Sequence, residues 1–230
     1  MREMSGVPSY LCRRRAGPIV IDGRMDEPAW SRVQPMGDFR LASGAGEPQL
    51  PTEVRACWDE DNLYLAFVCV DTDIWGTMRK RDDPIYKEEV VEAFLCSGDD
   101  LTRYYEFEFS PHNVVFDALI ECPESGDRRF LRVDTGWDCE GLLSAVQVMG
   151  TLDERHDLDN RWTVEVALPF SQIGRGGRAP KESERWRANF YRIDRADEGE
   201  FSCWSPTLSD PPSFHVPGRF GYLVFSEMLA

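Results

Sequence analysis

The feature that most constrains this chain is a recurrence. Short runs rich in β-branched and aromatic residues come one after another, each closed by residues that favour turns. Such runs occupy 18–22 (PIVID), 52–58 (TEVRACW), 63–70 (LYLAFVCV), 90–96 (VVEAFLC), 104–110 (YYEFEFS), 114–121 (VVFDALIE), 142–149 (LLSAVQVM), 161–168 (RWTVEVAL), 186–193 (WRANFYRI) and 221–225 (GYLVF). DEDN, SGDD, SPHN, ECPESGD and LDERHDLDN separate many of them, which is the pattern of a strand-turn-strand fold. YYEFEFS alternates with period two, whereas LYLAFVCV is apolar on both faces and is predicted to be a buried central strand. Helical signal is confined to DEPAWSRV (26–33), with Asp26 at the expected N-cap and Pro28 in the first turn, and to one turn in PFSQIG (169–174). The expectation is a single antiparallel β-sandwich, jelly-roll or immunoglobulin-like, with one or two short helices. GRGGRAPKESE (174–184) lies between two core-facing strands and reads as a surface loop, so 18–230 form one domain behind an N-terminal extension, 1–17.

Charge narrows the partners. With 26 Lys and Arg against 41 Asp and Glu, the net charge is −15. Such a surface repels phosphate backbones and anionic lipid headgroups, so neither nucleic acid nor membrane is expected as a partner. Neutral ligands and cations fit it. A hydrophobic content of 42% is enough for a sizeable core, yet no apolar run approaches the ~18 residues of a membrane span. Seven cysteines contain no CxxC spacing. If Trp58 faces Leu63 across DEDN, Cys57 and Cys69 point to opposite faces of the sheet and cannot bridge. Reduced cysteines, and an Arg13–Arg15 run followed by AGPIVIDG rather than an apolar stretch, favour a cytoplasmic location. The alternative is a secreted or periplasmic protein whose leader has been removed.

Catalytic signatures are lacking: there is no GxSxG, HExxH or Walker loop, and His112, His156 and His215 are far apart in sequence. Glu106 and Glu108 would project from one strand face about 6.6 to 7 Å apart, near the separation of glycosidase acid pairs. Neighbours on one strand cannot flank a sugar bond from both sides, however. The pair is expected to be a solvated face alternating with core Tyr105, Phe107 and Phe109, and no catalytic residue is assigned. Trp58, Trp162 and Trp204 lie in strand patterns and are expected in the core. RDDPIYKEEVVEAFLC (81–96) places Tyr86 and the carboxylates Glu88, Glu89 and Glu92 ahead of, or within, a run that must be buried. This could be a calcium loop, a catalytic acid pair or the rim of a pocket for an uncharged ligand.

PIVIDGRMDEPAW, then VRACWDEDNLYLAFVCVDTD leading through IYKEEVVEAFL, then FSCWSP followed by FHVPGRFGYLVF, resemble in order and spacing the family 9 carbohydrate-binding modules, from about residue 18 to 225. The resemblance implies a non-catalytic β-sandwich that grips the end of a sugar chain between two aromatic side chains. It places those walls at Tyr86 and at Phe214, with His215 beside it, and places Glu92, Glu108, Ser110 and Asn189 at the ligand. The chain departs from the pattern in having Tyr and Phe where the sugar-binding modules have tryptophans, and Glu108 where they have an arginine. Calcium commonly stabilises such modules. No cofactor is required here, but Asp71, Asp73 and Glu88 could supply oxygen ligands to a structural Ca²⁺, without EF-hand spacing. Two other functions stay open: a b-type haem or redox sandwich with Met78 and His215 as axial ligands, and a glycoside-processing enzyme using Glu92 and Glu108.

Overall fold

The structure, a computed structural model, describes residues 6–123, 130–195 and 199–230. The strands are β1 (Ser9–Arg14), β2 (Arg40–Leu41), β3 (Thr52–Trp58), β4 (Asn62–Val70), β5 (Val90–Cys96), β6 (Arg103–Phe109), β7 (Val115–Glu121), β8 (Arg132–Asp134), β9 (Leu143–Met149), β10 (Arg161–Pro169), β11 (Arg185–Asp194), β12 (Glu200–Cys203) and β13 (Gly221–Leu229). They hydrogen-bond in the order β8-β7-β6-β5-β11-β13-β1-β3-β4-β10-β9, with β12 joining β11 to β2. Two short helices, α1 (Pro28–Arg32) and α2 (Phe170–Ile173), and 3-10 turns at Ile85–Lys87 and Pro217–Arg219 accompany the strands. The path curls over itself into a sandwich.

Period-two patterning explains the layers. Val91, Ala93, Leu95, Phe107, Phe109 and Phe190 from one half meet Val54, Trp58, Leu65, Phe67, Trp162 and Val164 from the other in one core, where Phe67 and Phe190 pack edge to face at 6.1 Å. The outer faces are covered too. Trp30, Val33, Cys57, Tyr64 and Ala66 pack outside β3, β4 and β10, while Ile85, Phe94, Tyr104, Tyr191, Phe214 and Phe220 pack outside β5, β6 and β11. Trp58 pairs with Leu63 across the DEDN turn, and this parity sends Cys57 and Cys69 into different clusters. All seven cysteines are free and buried. No helix among the described residues is long and apolar enough to cross a membrane.

Four expectations change. Residues 9–14 are no loose extension: β1 is a strand of the main sheet, hidden from the sequence reading by the arginines at its end, although Tyr10 and Cys12 alternate inward. It runs parallel to both neighbours, β13 and β3, so the sandwich is antiparallel except there. PIVID is not a strand. The amide of its last residue, Asp22, and that of Gly23 donate to the Glu165 carboxylate at 3.1 and 2.7 Å instead of entering a ladder. Gly23 has φ +82° and approaches the Val146 backbone so closely that a Cβ would stand 2.7 Å from it. Finally, the N-cap of α1 is Glu27, without a side-chain cap, because Asp26 turns to Arg24 at 3.0 Å. Of the ECPESGD turn, residues 124–127 lie outside the described residues.

Candidate functional site

The outer face of β5, β6 and β11 carries a cleft of about 490 Å³. Strand parity builds its floor. In β5, Val91, Ala93 and Leu95 point to the inter-layer core, leaving Val90, Glu92, Phe94 and Cys96 on the outer face. Glu92 stands directly opposite Glu108 of β6, and Phe94 opposite Glu106. Tyr191 of β11 stands opposite Glu92 on the other side. Carboxylate oxygens of Glu92, Glu106 and Glu108 all come within 4.8 Å of one another. The solvated face expected for Glu106 and Glu108 is therefore a buried one, at 5% and 0% exposure. The alternation was right about which residues share a face. It was wrong about water, because two loops roof that face: the 3-10 turn at Ile85–Lys87 and the segment carrying Phe214 and Phe220.

Aromatic side chains border the floor. Tyr86, on the 3-10 turn, is 40% exposed and meets Phe116 of β7 edge to face at 5.8 Å. Phe214 is buried and stacks on Tyr191 with centroids 4.2 Å apart. Both border the same cleft, together with Phe94 and Phe116. His215 also borders it, with Nδ1 2.8 Å from the Tyr104 hydroxyl and Nε2 3.9 Å from Glu106. Arg195 is the cleft's guanidinium, and it lies over the Phe201 ring at 4.8 Å.

The three acids stand in an environment that disfavours their charge. Burial pushes the Glu92, Glu106 and Glu108 carboxyls up from the ordinary range, and mutual repulsion adds to the rise of Glu92 and Glu108. Neither oxygen of Glu108 has a donor in hydrogen-bond geometry; the Glu106 carboxyl and a loose approach of the Tyr86 amide are what face it. Like charges directly opposite on neighbouring strands destabilise a sheet.

Two further carboxylate clusters are arranged differently. Asp71, Glu89 and Asp194 form one, Asp82, Asp117 and Asp138 the other. Arg192, 1% exposed in its side chain, bonds Asp71 at 2.8 Å and Asp194 at 2.7 Å, and the Trp162 indole N–H donates to Asp71 at 3.1 Å. Arg81 bonds Asp117 at 2.5 Å and Asp138 at 2.8 Å. Glu89 accepts the Arg195 amide at 2.6 Å, and burial pushes its pKa up to about 9.

Among the residues expected at the ligand, Tyr86, Glu92, Glu108, Phe214 and His215 meet at the cleft. Ser110 and Asn189 do not border it. Ser110 is a turn residue whose hydroxyl accepts the Val114 amide at 3.2 Å. Asn189 clasps the Ser205 backbone from both ends of its amide, at 2.8 and 2.9 Å. The expected metal set is not brought together either: Asp73 pairs with Arg155 at 2.6 Å, Glu88 accepts the Thr77 amide at 2.7 Å, and only Asp71 joins a cluster. Sequence reasoning missed Glu106 and Phe116. A signal existed in β5, where Glu92 is the single polar residue of a seven-residue run.

A family model described as Carbohydrate-binding family 9 matches residues 45–225. An extracellular protein of Arthroderma benhamiae is 26% identical over 78% of this chain and 80% of its own length. Endo-1,4-beta-xylanase A of Thermotoga neapolitana is 30% identical over 96% of this chain, which spans only 18% of that xylanase. A family 9 carbohydrate-binding module from Caldicellulosiruptor kristjanssonii, solved in complex with cellotriose, superposes with TM-score 0.63 at 14% identity, covering 95% of this chain and 94% of the module.

Proposed function

The chain belongs to carbohydrate-binding family 9, and on that premise we propose that it binds the end of a mono- or oligosaccharide in the cleft bordered by Tyr86 and Phe214, without catalysing its cleavage. The observation that carries this reading is the pairing of flat aromatic walls with a polar floor in one cleft of about 490 Å³. A sugar ring lays its C–H face on an aromatic and sends hydroxyls to the floor. The cellotriose complex of the similar module supports a glycan ligand. Glu92 and Glu108 sit side by side on adjacent strands rather than on two sides of a substrate. Both carboxyls are held toward the neutral form, whereas a glycosidase needs one acid and one ionised partner.

No calcium ion is needed in this proposal. Among the described residues, Asp71, Glu89 and Asp194 form a carboxylate cluster in which Arg192 already bonds two of the three acids. The haem reading has no comparable support, since His215 is engaged by Tyr104 and packs on Phe94 with centroids 5.1 Å apart.

A glycan array followed by calorimetry tests the function. Saccharide binding is expected, and Tyr86→Ala should weaken it about tenfold, as for loss of one ring contact worth about 1 to 1.5 kcal/mol. The same substitution should leave unfolding free energy within about 0.5 kcal/mol, as at a surface site. An array without a single hit would defeat the proposal.

A further inference from the structure

Three clusters of acidic side chains lie among the described residues. Two contain an arginine bonded to two of their carboxylates, Arg192 in one and Arg81 in the other. The third, Glu92, Glu106 and Glu108, contains none, and no ion pair joins it to Arg195. All three of its carboxylates border one cleft, whose walls are Tyr86, Phe94, Phe116 and Phe214. Glu108, 0% exposed, brings a carboxylate oxygen into this group and has no donor in hydrogen-bond geometry at either oxygen.

We propose that the cleft is selective for a sugar bearing a primary amine, an amino sugar whose ammonium group sits at the Glu92, Glu106 and Glu108 carboxyls. The inference rests on the carbohydrate reading of the same cleft and specifies its ligand class. Donor count favours it. An ammonium group carries three N–H donors, and three carboxyl groups converge here within 4.8 Å. The carbon skeleton attached to that nitrogen has somewhere to go, because Tyr86, Phe94, Phe116 and Phe214 make the surrounding wall apolar. A bare divalent cation would be served less well. Ca²⁺ takes about six to eight oxygens, and the aromatic wall adds none to those of the three carboxyl groups.

Charge points the same way. Besides the three acids, the titratable and charged groups around the cleft are Tyr86, Tyr104, Tyr191, Arg195 and His215. His215 stands 3.9 Å from Glu106, and Arg195 is drawn aside over Phe201. An incoming ammonium would supply the positive charge that Arg192 and Arg81 give the other two clusters. It would also ease the repulsion that raises the carboxyls.

Calorimetry on the full chain at pH 6 tests this with glucosamine, N-acetylglucosamine, glucose and calcium chloride as separate probes. Glucosamine should bind at least about tenfold more tightly than glucose, the effect of one charge-assisted hydrogen bond beyond a neutral one. N-acetylglucosamine, which has lost the charge, should fall back with glucose. Glu108→Gln and Glu106→Gln should each reduce the preference toward unity, and Tyr86→Ala should weaken both sugars alike. Two isosteric variants keep the test open if one misfolds. Equal or tighter binding of glucose would overturn the inference while leaving the carbohydrate reading intact. Binding of none of the sugars would overturn both. Calcium binding alone, lost in Glu108→Gln, would overturn it in favour of a metal site.

Discussion

Glu89 and Glu92 stand three residues apart on one stretch of chain, are both buried, and belong to opposite kinds of cluster. Glu89 joins Asp71 and Asp194 around a guanidinium that ties the end of β4 to β11. Glu92 joins Glu106 and Glu108 on the cleft floor, where no guanidinium enters. A buried charge with a well-bonded partner is a structural device whose removal is costly. A buried carboxyl without one protonates and weakens the fold. Proteins retain such weakness where binding or chemistry requires it. The contrast therefore lies between the clusters and their guanidinium, not between the two glutamates: Arg192 bonds Asp71 and Asp194, while Glu89, like Glu92, is pushed toward the neutral form by burial.

The largest effect expected from this contrast is at Arg192. Replacing it with leucine leaves Asp71 and Asp194 buried without their cation and should cost about 3 to 5 kcal/mol in urea unfolding. A loss below about 1 kcal/mol would mean that the two clusters do not differ as described.

A smaller effect should come from pH. In the folded state the cleft carboxyls and Glu89, the last near 9, hold protons that the unfolded chain releases from about 4.5 upward. The native state then binds more protons than the unfolded one, so stability is greatest below the unfolded carboxyl pKa and falls as pH rises toward the folded values. A decline of about 2 kcal/mol in unfolding free energy between pH 5 and pH 8 is expected, each fully shifted group contributing at most about 1.4 kcal/mol per pH unit. Glu108→Gln should flatten that slope and raise stability at pH 8 by about 1 kcal/mol, the scale of an opposed like-charge pair in a sheet. A slope unchanged by the substitution would place the titration elsewhere.

The smallest effect concerns metal. With Arg192 as the built-in cation, excess chelator should leave the melting temperature unmoved, since a ligand that does not bind the native state cannot stabilise it. A drop of several degrees would reveal a structural ion and weaken the distinction between an arginine-filled cluster and an open one.

Much of the fold was legible because backbone parity is local. The pairing of Trp58 with Leu63, the central position of β4 and the core tryptophans all follow from period two and one turn. Coverage is not local. Nothing within YYEFEFS says that the Phe214 segment, a hundred residues later, will roof its acidic face. The burial of Glu106 and Glu108, and so the character of the cleft, could not be read from the strand itself. For the same reason Asn189 looked like a ligand residue: its face is that of Glu92, but its amide is consumed by a backbone that arrives from residue 205.

The parallel strand β1 carries a consequence for how this molecule comes into being. Ser9 pairs with Tyr222 and Arg14 with Trp58, so the first described strand is the seam at which the two halves of the sandwich are stitched together. One of its neighbours is about 40 residues away along the chain and the other more than 200. Loop closure on such a scale delays folding. Through β13 the half bearing the cleft gains its continuous ladder to the other half, since β13 lies between β11 and β1. Closure of the main sheet is in this sense a late event, set by its longest-range strand pairing.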